Sequence, residues 1–226
     1  MNWSRELVDG LDLAFNESTA CGLTFDGQAA EARLLLEVLA LAEAAPLGPD
    51  PRRVAVFTGV SAVEVILRQE VDDDFEPVLP VESMDALESF FASLGQADAM
   101  YGWSFFDVDD PGPDWIQPAS LVRHSSNPIA SPHTIHWFTE CGRPAADRWE
   151  RFYLQGVVRF EDLRIETADL RAVPLDAFVA DAKRWWDAFE RHDPRLSSDA
   201  QQQAQAASLT WRGWGGTSVM VPSSGA

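Results

Sequence analysis

Basic side chains are scarce in this sequence of 226 residues, with 17 lysines and arginines against 36 acids and a formal net charge of −19. A surface so poor in cations cannot neutralise phosphates, which disfavours nucleic acids and anionic membrane surfaces as partners. The imbalance is uneven, because residues 1–118 contain 23 acids and 5 bases, whereas residues 119–226 contain 13 acids and 12 bases. Such a charge favours either solubility alone or attraction to a basic protein partner.

Cysteines and long apolar runs are also nearly absent. Cys21 and Cys141 are the only cysteines, and their separation predicts neither a disulfide framework nor a paired metal site. The N-terminus has no basic start followed by an apolar run, and no stretch approaches the roughly 18 apolar residues of a membrane span. We therefore expect a cytoplasmic protein with no secretory signal and no membrane segment.

Catalytic signatures are missing as well. The sequence contains no Gly-x-Ser-x-Gly nucleophile motif, no Walker-type phosphate loop and no Gly-x-Gly-x-x-Gly after a strand. These absences weaken the common enzyme classes, although an active site built from scattered carboxylates stays open. We therefore favour a protein that is not an enzyme, and we expect no cofactor.

The chain does contain the material for a large core. Hydrophobic residues make up 46% of it and aromatic residues 11%, and a chain of this length buries roughly 70% of its unfolded surface. We predict an α+β fold with an antiparallel β-rich core, a sandwich or a strongly bent sheet, and two main amphipathic helices. The charge boundary divides the chain into an acidic β-rich half with one helix (1–118) and a half with strands and a Trp-rich helix (119–226). One continuous domain is the alternative.

Alternating apolar residues, typical of half-buried strands, recur along the chain. Residues 30–41 are rich in Ala, Leu and Glu, which also suits a helix, but the turn-rich residues that follow them favour a strand. In residues 53–68 the alternation slips near Gly59, which predicts a bulge or a tight turn between two strands. The other predicted strands are at residues 11–15, 23–25, 100–108, 133–141 and 149–167, the last as one bulged strand or a hairpin.

Two helices have clear signals. Ser83 can cap a helix over residues 84–94, and an apolar stripe over residues 175–192 predicts a second helix that Pro194 ends. Residues 199–207 are polar and rich in Gln and suit a further exposed helix. Residues 109–132 contain five prolines and little periodicity, which predicts a long loop or a connection between subdomains.

One acidic segment partly resembles a calcium-binding loop. Asp107, Asp109 and Gly112 fit positions one, three and six of such a loop, where hard cations bind carboxylates on a tightly turning backbone. Pro111 takes the fifth position, and Pro118 falls where a bidentate Glu is needed. We therefore favour a solvated acidic loop and expect no calcium site.

A zinc site is the other metal hypothesis. His124, His133, His136 and Cys141 offer the imidazole and thiolate donors that zinc prefers. On a strand, however, His133 and His136 point to opposite faces. Packed or surface histidines are therefore favoured, and no metal is expected.

Two acidic clusters that include aromatic residues are the most unusual local feature. If residues 70–76 and 106–115 lie together in space, they form a negative surface with hydrophobic anchors, which suits a partner rich in Lys and Arg. Two solvated turns are the alternative. The predicted partner-binding residues are Asp72, Asp73, Asp74, Asp107, Asp109, Asp110, Asp114 and Trp115.

Three segments together resemble the small immunity proteins of bacterial polymorphic-toxin systems. They are Arg53-Val-Ala-Val-Phe-Thr-Gly-Val-Ser-Ala-Val-Glu-Val65, Tyr101-Gly-Trp-Ser-Phe-Phe-Asp107 and Phe160-Glu-Asp-Leu-Arg-Ile165. The likeness, over about residues 45–170, is to acidic β-rich chains with a Phe-x-Gly-Val strand followed by a Trp-bearing strand. It implies a binding function, identifies no functional residue, and does not account for the helix at residues 175–192.

Three functions follow as hypotheses. The first is a binding protein of the immunity type that neutralises a basic protein partner by covering its active surface. The second is an enzyme or ligand-binding domain with an acidic cleft lined by Trp103, Trp115 and Trp137, for a carbohydrate or a cationic small molecule. The third is a structural module whose helix at residues 175–192 packs on another subunit. The sequence predicts no particular oligomeric state.

Overall fold

The structure, a computed structural model, describes residues 3–43, 50–72, 78–100, 102, 104–108, 118–127, 131–146 and 148–197. Strands contain more of these residues than helices do, which confirms the β-rich α+β class. The described helices are α1 (Arg5–Phe15), α2 (Met84–Ser93) and α3 (Leu175–Glu190), with a short 3-10 helix at Pro194–Leu196. The described strands are β1 (Thr19–Asp26), β2 (Glu31–Glu37), β3 (Arg52–Thr58), β4 (Ala62–Gln69), β5 (Val78–Leu79), β6 (Gln96–Ala97), β7 (Leu121–His124), β8 (His133–Pro144), β9 (Trp149–Phe160), β10 (Asp162–Thr167) and β11 (Ala172–Val173).

Two antiparallel sheets form the body of the protein. Sheet A has the strand order β1-β2-β3-β10-β11, and sheet B has the order β5-β4-β9-β8-β6, with β7 also paired to β4. The sheets meet where Thr19 of β1 forms a bridge with Ala99, just after β6. Side chains from both sheets share one large apolar core. The prediction of an antiparallel core is therefore confirmed.

Two long bent strands join the sheets. One runs from β3 through residues 59–61 into β4, and the other runs from β9 through Glu161 into β10. They stay paired around the bend, because Glu161 N–H donates to the Thr58 carbonyl at 2.9 Å and Ser61 N–H donates to the Arg159 carbonyl at 3.0 Å. The turn predicted near Gly59 is thus the corner at which the chain changes sheets. Residues 149–167 likewise form a bent strand and not a hairpin.

Both sheets mix strands from the two halves of the sequence. Strand β3 lies beside β10, and β4 lies beside β9. Ion pairs also join the two halves of the sequence, since Arg164 lies 3.0 Å from Glu31 and Arg151 lies 2.9 Å from Glu70. The acidic first half of the sequence therefore does not occupy one side of the described molecule.

Large rings fill the core. Trp137 of β8 is only 1% exposed, and its indole lies against Gly156, its cross-strand partner on β9. The rings of Phe57 and Phe160 lie 4.8 Å apart between centroids inside the corner. Because Trp137 is buried, it cannot line the ligand cleft that the second hypothesis requires.

The strand predicted at residues 11–15 is wrong, because this segment belongs to helix α1. Ser4 caps the helix, and its side chain accepts a hydrogen bond from Leu7 N–H at 3.2 Å. Leu11 and Phe15, one helical turn apart, are fully buried, whereas Leu13 is only partly buried. Three alternating apolar residues are too short a run to distinguish the two-residue period of a strand from the 3.6-residue period of a helix.

Two expectations between residues 100 and 132 also need correction. In the described part of residues 100–108, the only β-bridge joins Phe106 to Ile135. Phe105 and Phe106 are both buried, which a strand with one buried face does not allow. The loop predicted over residues 109–132 contains β7, which pairs with β4. The prolines around this short strand hid its signal.

The remaining described helices confirm the predictions. Ser83 caps α2, since its hydroxyl oxygen accepts from Ala86 N–H at 3.1 Å. The apolar stripe of α3 packs within the chain, where Phe178 joins the main core and Trp185 packs with Leu41. Most of the stripe is therefore already buried within the chain, although Phe189 near its end is 56% exposed. This weakens the hypothesis that α3 packs on another subunit. The helix predicted at residues 199–207 lies outside the described residues.

Candidate partner-binding surface

The predicted partner-binding residues are only partly described. Asp72 is exposed, follows β4 and has a positive φ of 54°. Asp107 is about one-third exposed. The other six predicted residues, Asp73, Asp74, Asp109, Asp110, Asp114 and Trp115, lie outside the described residues.

Asp107 makes its contacts within the chain. Its Oδ2 lies 2.8 Å from His133 Nδ1, and its Oδ1 accepts from Thr134 N–H at 2.9 Å. The Trp3 indole stacks on the His133 imidazole, with centroids 4.1 Å apart and planes 16° apart. Asp107 therefore connects the segment after Phe106 to the start of β8, and both of its oxygens are engaged.

Asp72 and Asp107 lie at opposite ends of sheet B. The N–H of Glu70, two residues before Asp72, donates to the Arg151 carbonyl near the start of β9. Asp107 contacts His133, which lies opposite the end of β9. Strand β9 has 12 residues, so its ends are roughly 35 Å apart along the strand. The structure does not bring the described members of the two clusters together.

A buried carboxylate that sequence reasoning missed lies on α1. Asp12 is 7% exposed, and its Oδ1 accepts from the N–H groups of Phe105 (2.8 Å) and Phe106 (3.0 Å). Burial raises the pKa of Asp12, the two backbone hydrogen bonds oppose that shift, and Asp9 and Asp107 add to it. Asp12 therefore holds the segment at residues 105–106 against α1 at some electrostatic cost.

We expect Asp12→Ala to lower the free energy of unfolding by about 2–4 kcal/mol, because two buried N–H groups lose their acceptor. Asp12→Asn keeps an acceptor oxygen and should stay within about 1 kcal/mol of the wild type. The raised pKa means that the folded state binds this proton more tightly than the unfolded chain. The wild type should therefore lose stability relative to Asp12→Asn as the pH rises above about 4. Urea unfolding at several pH values measures both effects, and equal stability of the Ala and Asn variants would contradict the assignment.

The histidines of β8 lie on opposite faces, as the alternation predicts. His133 is 3% exposed on the core side, and His136 is partly buried on the outer side. Burial, with a smaller contribution from the Arg159 charge, lowers the pKa of His136 to about 4, so this imidazole is neutral near pH 7. Among the residues that the structure describes, no group of three His, Cys, Asp or Glu side chains could hold a metal ion.

Neither thiol is activated. Burial raises the pKa of Cys21 to about 12, with a smaller contribution from Glu37. Burial also raises the pKa of Cys141 to about 12, with smaller contributions from Asp98 and Glu140. Because the thiolate is the nucleophile, protonated thiols at neutral pH do not support cysteine catalysis.

A small acidic cavity lies on the outer side of sheet B, at the edge formed by β6. Its volume is about 270 Å³, and its lining residues are Asp98, Glu140, Cys141, Gly142, Trp149 and Arg151. Arg151 pairs with Glu140 at 2.7 Å and with Glu70 at 2.9 Å. One guanidinium therefore faces two carboxylates, and Asp98 adds a third acid at the rim.

Trp149 forms an open wall of this cavity, which we call the Trp149 cavity. The side chain is 47% exposed and lies over the backbone of two glycines. A Cβ at Gly142 would come within 2.1 Å of the indole Nε1, and a Cβ at Gly95 within 2.9 Å of Cη2. The absence of side chains at these positions thus leaves room for the indole.

No local pattern in the sequence predicts this cavity. Asp98, Glu140 and Trp149 come from three separate segments, and they meet because β6 pairs with β8 and β8 pairs with β9.

No known family model matches the chain, and no curated protein and no solved structure matches it. None of the described helices is long and apolar enough to cross a membrane.

Proposed function

We propose that this protein is a non-enzymatic binding protein of the immunity type, which docks a basic protein partner through an acidic surface. The proposal rests on two observations. The net charge is −19, and most of the described arginines form ion pairs with acids of the same chain. The carboxylates left over after this pairing are available to attract cations from outside.

Most of the arginines in the described part of the chain are held in ion pairs with acids of the same chain. In contrast, Asp72, Asp85 and Glu88 are exposed and form no ion pair within the described residues. Asp85 and Glu88 project from α2, and Asp72 follows β4. The paired arginines are Arg5, Arg33, Arg52, Arg143, Arg148, Arg151, Arg159, Arg164, Arg171, Arg184, Arg191 and Arg195.

A field of this sign accelerates the encounter with a basic protein. Electrostatic steering raises association rate constants by roughly 10–1000-fold at low salt. The gain disappears as the Debye length shrinks from about 10 Å at 0.1 M salt to about 3 Å at 1 M. Salt dependence of the association rate is therefore the most direct sign of docking through charge.

The test is surface plasmon resonance against the purified proteins that the genes adjacent to this one encode, at 50 and 500 mM NaCl. We expect a basic member of that set to bind, with an association rate constant at least about tenfold lower at the higher salt concentration. Salt-independent association, or no binding by any of these proteins, would overturn the proposal.

A matched pair of variants locates the surface. Asp85→Asn combined with Glu88→Gln removes two charges from α2, and Asp176→Asn combined with Glu190→Gln removes two exposed charges from α3 that likewise form no ion pair within the described residues. We expect the first pair of substitutions to slow association more than the second, because α2 ends beside the Trp149 cavity. Equal effects would show that the net charge acts without a preferred face.

A further inference from the structure

We propose that the Trp149 cavity is the receptor site for one cationic side chain, arginine or lysine, of the partner protein. This inference rests on the proposed function and gives its acidic surface a defined point of contact. The site is made by the partly exposed Trp149 indole together with Glu140 and Asp98.

The indole supplies a fixed aromatic surface. The ring lies against Gly95 and Gly142, where any larger residue would collide with it. The side chain as a whole is 47% exposed. A cation over an exposed face of the ring is attracted by the ring quadrupole, and tryptophan is the aromatic residue that binds cations best. Because the ring is already positioned, a ligand loses little affinity to ordering it.

Acidic side chains outnumber basic ones in the lining of the cavity, with Asp98 and Glu140 against Arg151. The Arg151 guanidinium contacts Glu140 at 2.7 Å and also Glu70, outside the lining, at 2.9 Å. The formal charge of the lining is therefore −1, which attracts an incoming guanidinium or ammonium group.

The size of the cavity selects among cationic ligands. The volume of this cavity, about 270 Å³, lies just below the roughly 300–1,000 Å³ of sites for drug-sized molecules. It fits the end of one long side chain better than an oligosaccharide. Planar guanidinium stacks on an indole and also meets carboxylates in a bidentate manner, so arginine should bind more tightly than lysine.

The experiment uses the full chain without any partner. The indole N–H signal of Trp149 is assigned in a ¹H–¹⁵N spectrum by its loss in Trp149→Phe, and the wild type is titrated with acetyl-Gly-Arg-Gly-amide. The same peptide with citrulline in place of arginine is the neutral control. We expect the arginine peptide to shift the Trp149 signal in a saturable manner and the citrulline peptide to leave it in place.

Two variants separate site binding from general attraction. Glu140→Gln should weaken binding of the arginine peptide by about two- to fivefold or more, which is the scale of a partly exposed charge contact. Phe189→Leu changes another exposed aromatic residue, beside Asp187 and Glu190 on α3, and should leave the affinity unchanged. Thermal unfolding of each variant verifies that it is folded.

The outcomes separate this inference from the proposed function. A shift of the Trp149 signal that citrulline reproduces, or no shift at all, overturns the receptor site even if a basic partner binds in a salt-dependent manner. If only the arginine peptide shifts the Trp149 signal and no protein partner binds, the receptor site is supported and the proposed function is contradicted. If a partner is found, Trp149→Ala should weaken the complex by about tenfold or more.

Discussion

Gly156→Ala is expected to destabilise the protein by about 2–3 kcal/mol, because the new methyl group overpacks the core. Gly156 lies in the centre of β9, opposite Trp137. A Cβ at this position would lie 2.3 Å from Cε2 and Cζ2 of the Trp137 indole, which is itself only 1% exposed. The indole cannot move outward without opening the core, so the strain falls on both strands. Urea unfolding followed by circular dichroism measures the loss.

The pair can be tested with a double-mutant cycle. Trp137→Phe alone should cost about 1–3 kcal/mol through lost volume, but it makes room for the methyl group. The double variant should therefore be more stable than the sum of the single effects by about 1 kcal/mol or more. Gly22→Ala in β1 is the matched control, because the nearest atom to its new Cβ, Leu35 Cβ, is 3.9 Å away. A Gly156 variant as stable as the Gly22 variant would refute the packing.

Gly59→Ala is expected to lower the free energy of unfolding by about 2–4 kcal/mol. Gly59 has a φ of 62°, which costs a residue with a Cβ about 1–2 kcal/mol. The new Cβ would also lie 2.5 Å from the Cβ of Glu161 on the second bent strand. Because both sheets pass through this corner, we expect circular dichroism and tryptophan fluorescence to report one shared, shifted unfolding transition.

A second substitution separates the two causes. Glu161→Gly removes the colliding side chain. The double variant Gly59→Ala/Glu161→Gly should therefore lose less free energy of unfolding than the sum of the losses in the two single variants. The cost of the positive φ should remain. If Gly59→Ala unfolds within about 0.5 kcal/mol of the wild type, the corner does not depend on glycine.

The sequence predicted most of the secondary structure where an apolar period continued for several turns or strand residues. The stripe of α3 and the Ser83 cap of α2 are examples, and β2 followed from its neighbours in spite of its helix-forming composition. Helix α1 was missed because the apolar pattern around Leu11 and Phe15 was judged over too few residues. Alternation in residues 53–68 and 149–167 was recognised, but a periodicity holds no information on which sheet each segment joins.

The candidate site shows the same limit more sharply. The acidic clusters were visible in the sequence as runs of carboxylates, yet the hydrogen bonds of Asp107 to the start of β8 were not. The role of Asp12 depends on backbone groups more than ninety residues away. The Trp149 cavity depends on two glycines that leave space for the indole. A short window of sequence shows neither the contacts between distant segments nor the space that a glycine leaves for a neighbouring side chain.

The pairing of the two bent strands has a consequence for how the chain acquires its fold. Thr58 pairs with Asp162 and Ala62 pairs with Arg159, so contacts at the corner close loops of about a hundred residues. Such a high contact order slows folding, because loop closure precedes the contacts that stabilise it. During translation, β2, β3 and β4 emerge long before β9 and β10 can complete their sheets. The exposed edges of these early strands are then open to wrong pairing, and a large negative charge opposes self-association of the growing chain.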